Sequence, residues 1–182
     1  SDEDNTLYRA AFAAAYADRW SDVRAYAEQA EDHTLAKVLR WMELKDTSRN
    51  NDFVSLAQFL VQNPGWPSQT RLRKQAEEAM PDDLGDQDAA AYFDAFPPQT
   101  DEGLLRYTSA LVGLNRDDDA RGQINRAWAD WDFSLAREED FLDAYGNLLT
   151  TEQHWNRIDR LIWEGKTTAA QRILRYVDND HQ

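Results

Sequence analysis

Asn63-Pro64-Gly65-Trp66-Pro67-Ser68-Gln69-Thr70-Arg71-Leu72-Arg73-Lys74 sets two prolines and a glycine around a tryptophan, in a chain otherwise rich in helix formers. Pro64 disfavours helical geometry at Asn63, so a preceding helix should stop near Gln62. Pro67 suits a first helical turn, where its missing N–H costs nothing, and a helix is expected from there to about Met80. Trp66 is left between two helix ends, where its ring can plug the groove they form. The stretch therefore reads as a corner between two helices.

Outward from this corner the same pattern repeats. Before it, Leu7, Ala11, Ala14 and Ala15 form one apolar stripe, then Val23, Ala27 and Ala30. Asp32 or Thr34 can cap a third helix carrying Leu35, Val38, Leu39 and Met42, and Phe53, Leu56, Phe59 and Leu60 make a fourth. After it, Pro81 to Asp86 is a break, a short helix carries Ala89, Tyr92 and Phe93, and Thr100 caps a helix ending near Gly113. Further helices are expected from the Asn115-Arg116-Asp117 turn and from near Arg137, Thr151 and Thr167, with Gly165-Lys166 separating the last two. Loops of two to six residues fit stacked helical hairpins.

An internal echo supports stacking. Val23, Leu72, Ala120 and Ala169 lie 49, 48 and 49 residues apart. In that alignment Arg24, Arg73 and Arg121 coincide, as do Ala27, Ala76, Ile124 and Ile173, and then Ala30, Ala79, Ala127 and Tyr176. Offsets of one, four and seven trace one helix face, and a period of this size is a solenoid signature. The expected fold is all-α: a single scaffold domain over residues 1–182, a right-handed superhelix of about eleven short helices in tetratricopeptide-like hairpins.

Composition agrees. Alanine occurs 25 times and leucine 18, against 10 for valine plus isoleucine. The formal net charge of −14 repels polyphosphate and anionic lipid heads, which argues against nucleic-acid and membrane-surface partners. The absence of cysteine rules out disulfides, thiolate metal sites and cysteine nucleophiles. No apolar run approaches the roughly 20 residues of a membrane span.

Catalytic, metal and cofactor motifs are likewise missing. His33, His154 and His181 are far apart, outside any HExxH arrangement, and read as exposed or capping residues. Asp117-Asp118-Asp119 lacks calcium-loop spacing and reads as the acidic first turn of a helix. No phosphate-cradling glycine loop or Gly-x-Ser-x-Gly elbow occurs, so no metal, cofactor or catalytic residue is assigned. The seven tryptophans could stack on sugars, but helical spacing favours core packing for several: Trp155, Ile158 and Ile162 make one stripe.

Beyond these physical signals, several runs are specific. Phe59-Leu60-Val61-Gln62-Asn63-Pro64-Gly65-Trp66-Pro67, with Leu72-Arg73 and Ala76-Glu77, resembles a segment of the soluble lytic murein transglycosylases of Gram-negative bacteria. So do Tyr92-Phe93, Phe96-Pro97-Pro98-Gln99-Thr100 and Gly103. Phe141-Leu142, Tyr145-Gly146, Leu149-Thr150, His154-Trp155 and the run Arg157-Ile158-Asp159-Arg160-Leu161-Ile162-Trp163-Glu164-Gly165 continue the likeness, with Ala170 and Arg172 beyond. It extends from about Trp41 to Val177 in the family's order.

The resemblance implies the family's amino-terminal superhelical scaffold, a periplasmic location, and a parent enzyme that cleaves peptidoglycan glycan strands to 1,6-anhydromuramoyl ends. The family's catalytic glutamate lies in a Glu-Ser motif of a carboxy-terminal lysozyme-like domain. This chain contains no Glu-Ser pair, so no catalytic residue carries over and the chain alone is expected to be inactive. A net charge of −14 does not draw carboxylated peptidoglycan. Contact is therefore expected through aromatic faces and arginines, with Trp155, Arg157, Arg160 and Trp163 as substrate-binding candidates. The alternative is a free-standing tetratricopeptide-like adapter that holds a protein partner.

Overall fold

The computed structural model describes residues 1–177, so His181 lies outside the described residues. All the regular structure described is helical: α1 (Asp2–Tyr16), α2 (Trp20–Gln29), α3 (Thr34–Lys45), α4 (Phe53–Gln62), α5 (Gln69–Glu78), α6 (Asp86–Ala95), α7 (Asp101–Gly113), α8 (Asp117–Asp130), α9 (Leu135–Tyr145), α10 (Thr151–Trp163) and α11 (Thr167–Ile173). Short 3-10 turns follow α9 and α11. The chain divides into two compact units, one of residues 1–84 and 95–103, the other of residues 85–94 and from Leu104 onward.

In the first unit Tyr8, Ala11, Ala14 and Ala15 of α1 pack against Trp20 and Val23 of α2 and Leu39 of α3. Alanine on the α1 face lets the helices approach closely, and the Trp20 ring is buried with them. Ser1 and Asp4 cap α1 reciprocally, and the Asp52 side chain caps α4. Asp32 Oδ1 accepts from the Thr34 N–H at 2.9 Å, closing the turn into α3.

The corner at residues 63–68 ends α4 at Gln62, as Pro64 requires. The next helix starts at Gln69, two residues later than Pro67 suggests. The reason is local. Trp41 Nε1 donates to the Pro67 carbonyl at 3.0 Å, and Ser68 adopts φ 67°, so neither residue is helical. Gln69 Nε2 donates to the Asn63 and Trp66 carbonyls at 3.0 and 3.1 Å, tying the turn to the helix it precedes. Trp66 packs edge-on against Trp41 of α3 and Phe59 of α4, with ring centroids 6.2 and 5.8 Å apart. The sequence set this ring between the ends of α4 and α5; its ring partners lie on α3 and α4.

Glu77, buried on α5, accepts the Gln99 and Thr100 backbone N–H groups, each at 2.8 Å. Thr100 Oγ1 in turn accepts from the Gly103 N–H at 2.9 Å, so two side chains cap the start of α7. Gly103 has a steric reason: a Cβ there would lie 2.2 Å from Glu77 Oε2.

The second unit is built round Trp128 of α8, which stacks on Phe141 at 5.5 Å and Phe133 at 6.2 Å. Ile124, Ile158, Leu161, Ala170 and Ile173 complete this core. Asp94 accepts from Arg116 Nη1 and Nη2 at 2.9 and 3.2 Å, with the Tyr107 hydroxyl also donating to it. Asp117, Asp118 and Asp119 do form the acidic first turn of α8.

The echo seen in the sequence falls on α2, α5, α8 and α11, every third helix. The positive-φ residues among those described are Asp18, Ser68, Asn115 and Gly165, at 55°, 67°, 58° and 74°. Each stands one or two residues before one of those four helices. Three of the joints share a second bond, in which the following N–H reaches back five residues: Arg19 to Ala14, Arg116 to Leu111 and Lys166 to Leu161. That is the Schellman closure, which lets one helix stop and the next begin almost at once. The joint at Ser68 differs, since residues 63–68 separate α4 from α5 there.

Candidate functional site

The four sequence candidates all lie on α10, and the helix separates them. Its inward face carries His154, Arg157, Ile158 and Leu161. Trp155 and Ile162, expected in a core stripe with Ile158, lie outside it, with Trp155 45% exposed. Trp163 is 93% exposed. Eight residues of helix set the two tryptophans about 12 Å apart along the axis. At 3.6 residues per turn the two rings leave the helix about 80° apart, with Ile162 on the Trp155 side.

Arg157 is elsewhere. It is 1% exposed and its guanidinium lies 4.3 Å from the Trp128 ring centroid and 5.0 Å from that of Phe133. Its Nη1 donates to the carbonyls of Trp128 and Trp131, the latter at 2.9 Å, satisfying the end of α8. Its Nη2 is 3.6 Å from Glu138 Oε2, and Arg172 Nε donates to the same carboxylate at 2.8 Å. Burial pushes the Arg157 guanidinium down to about 10. Arg157 therefore holds α8, α9 and α10 together.

Arg160 is half-buried beside it. Nη2 donates to the Trp131 carbonyl at 3.2 Å, and Nη1 meets Asp132 at 3.2 Å and Glu164 at 2.9 Å. Lys166 joins the same two carboxylates, and its hydrogen bond to Asp132 holds that carboxyl below its usual range. Arg160 is thus already neutralised by acids of its own chain.

His154, expected to be exposed or capping, is buried. Its ring is edge-on to Trp128 at 5.4 Å and stacked on Tyr176 at 5.5 Å. Burial, with Arg157 close by, holds the imidazole below its usual value. His33 is exposed, in keeping with the sequence.

Sequence reasoning missed a groove of about 490 Å³ between α7, α8 and the end of α9. Leu105, Val112, Ile124 and Leu148 supply apolar walls, and Thr108 Oγ1 and Tyr145 Oη meet 3.0 Å apart within it. Leu105 and Val112, seven residues apart on one helix face, are both 56% exposed. Their spacing was the available signal, but an exposed apolar pair looks the same as a buried one in sequence.

Among the described residues no group of three or more histidine, aspartate and glutamate side chains could hold a metal ion. No described helix is long and apolar enough to cross a membrane. Compared with known protein families, curated proteins and solved structures, the chain matches none.

Proposed function

We propose that this chain is the helical scaffold of a periplasmic lytic transglycosylase, in which its hairpins stack as a right-handed superhelix and help to position peptidoglycan glycan strands. Cleavage to 1,6-anhydromuramoyl products falls to a lysozyme-like domain bearing the family's Glu-Ser motif, a pair that does not occur in this sequence. The observation that carries the proposal is the location of the residues on which the family resemblance rests. Trp66, in the corner after α4, packs on α3 and α4, Glu77 meets Gln99 and Thr100 beside Gly103, and Arg157 ties the end of α8 to α10. They are joints, and joints are what a shared scaffold must preserve. Glycan contact falls to the open rings of Trp155 and Trp163, since Arg157 is enclosed and Arg160 is already paired.

Co-sedimentation with purified sacculi tests this. The chain should pellet with them, lose retention when Trp155 and Trp163 are both replaced by alanine, and release no anhydro-muropeptide. Failure of the unsubstituted chain to pellet would remove the proposal. The apolar groove beside α7 supports a second function, a tetratricopeptide-like adapter that holds a protein partner. Recovery of one protein partner, lost on Val112→Glu, without sacculus retention would favour it.

A further inference from the structure

The imidazole of His154 lies between two aromatic rings, edge-on to Trp128 and stacked on Tyr176, with centroids 5.4 and 5.5 Å away. The Arg157 guanidinium is 4.3 Å from the Trp128 ring centroid, and that of Arg175 is 4.9 Å from the Tyr176 centroid. Both rings that flank the histidine therefore already hold a cation. His154 Nδ1 is enclosed and meets no hydrogen-bond partner. Protonation puts a charged N–H at that atom with nothing to accept from it.

The acids nearby leave no spare anion for an imidazolium. Glu138 of α9 is 3.6 Å from Arg157 Nη2 and accepts from Arg172 Nε of α11 at 2.8 Å. Glu139 and Asp143, also on α9, border an open cavity with Arg175 and Tyr176. Three arginines thus face three carboxylates, and a proton on His154 upsets that balance. Arg160, beyond Arg157, is paired with Asp132 and Glu164. On α8 and α10 themselves Arg126, Asp130, Glu152 and Asp159 are exposed.

The two ring partners are held unequally. Trp128 is fully enclosed and stacked on Phe133 and Phe141. Tyr176 is half-buried in the 3-10 turn Leu174–Tyr176, which the Val177 N–H closes on the Leu174 carbonyl at 3.0 Å. A short turn of this kind opens more readily than a packed helix.

We propose that protonation of His154 releases residues 174–177 from α10, an acid-sensitive latch in which the Tyr176 turn is the moving part. Opening lifts the Tyr176 ring off the imidazole and admits water to Nδ1, while Trp128 keeps its packing. It also uncovers Val177, which is buried in the core when the latch is closed. Burial and Arg157 hold the His154 imidazole below its ordinary 6.5, so the proton binds the open form more tightly. The latch does not depend on the transglycosylase function.

Hydrogen exchange of the whole chain between pH 7 and pH 5, corrected for the intrinsic pH dependence of exchange, tests it. Opening at the Leu174 and Val177 amides should rise by up to about tenfold per pH unit below 6.5. The amides of Trp128, Ile158 and Leu161 should keep their protection, and the Tyr176 ring signals should titrate together with those of His154. In His154→Phe, which keeps a ring at the site, the pH dependence should vanish. Three results would overturn the proposal: protection at Leu174 and Val177 that is indifferent to pH, that is lost only together with α8 and α10, or that falls equally in His154→Phe. The first two are read on the unsubstituted chain, so the outcome stands even if the variant fails to fold.

Discussion

Glu77 accepts both the backbone N–H and the hydroxyl of Thr100, at 2.8 and 2.6 Å, so that α5 supplies the anion that caps α7. Glu77→Ala would strand two backbone donors and should cost about 2–4 kcal/mol. Gly103→Ala puts a methyl against the same carboxylate and should cost about 1–3 kcal/mol. Urea unfolding of both variants and of the pair checks this, and the double variant should fall short of the sum because the sites share one contact.

The buried His154 makes stability depend on pH. Its folded-state value lies below the ordinary 6.5, chiefly through burial, so the folded chain binds this proton less readily than the unfolded chain. Its contribution is present above 6.5 and is lost as pH falls through the depressed folded value. His154→Phe, which keeps a ring against Trp128 and Tyr176, should lose less stability than the parent between about pH 7 and about pH 5. Parallel urea titrations at the two pH values measure the difference.

Arg157 and Trp163 should behave in opposite ways although both are on α10. Arg157→Ala leaves Glu138 buried with a single cation and the Trp128 carbonyl without its guanidinium donor, and should cost about 3–5 kcal/mol. Trp163→Ala should change stability by less than about 0.5 kcal/mol. Thermal unfolding of the two variants separates a structural from a surface role.

Acrylamide quenching offers a check without loss of fold. Trp163 is 93% exposed whereas Trp128 is fully enclosed. Trp163→Phe should therefore reduce the readily quenched share of emission, while Trp128→Phe should remove mainly emission that is poorly quenched.

Where the sequence carries its own punctuation, the fold was legible. Pro64 stops α4, Thr100 caps α7, and Asp117 to Asp119 begin α8 where the residue types place them. The start of α5 was not, because it depends on an indole from α3 that takes the Pro67 carbonyl. The candidate site was legible only as a helix. Trp155 and Ile162 read as a core stripe with Ile158, and His154 as exposed or capping, whereas α10 exposes the first two and buries the histidine. What overrides that reading is distant: the Arg157 guanidinium is held by carbonyls 26 and 29 residues away and by the Trp128 ring face. No local pattern encodes those partners.

The left-handed joints at Asp18, Asn115 and Gly165 have a consequence for which changes they tolerate. The bond that closes each is made by main-chain atoms alone, so side-chain replacement at Arg19, Arg116 or Lys166 should leave the turn in place, whereas proline there would remove the N–H and open it.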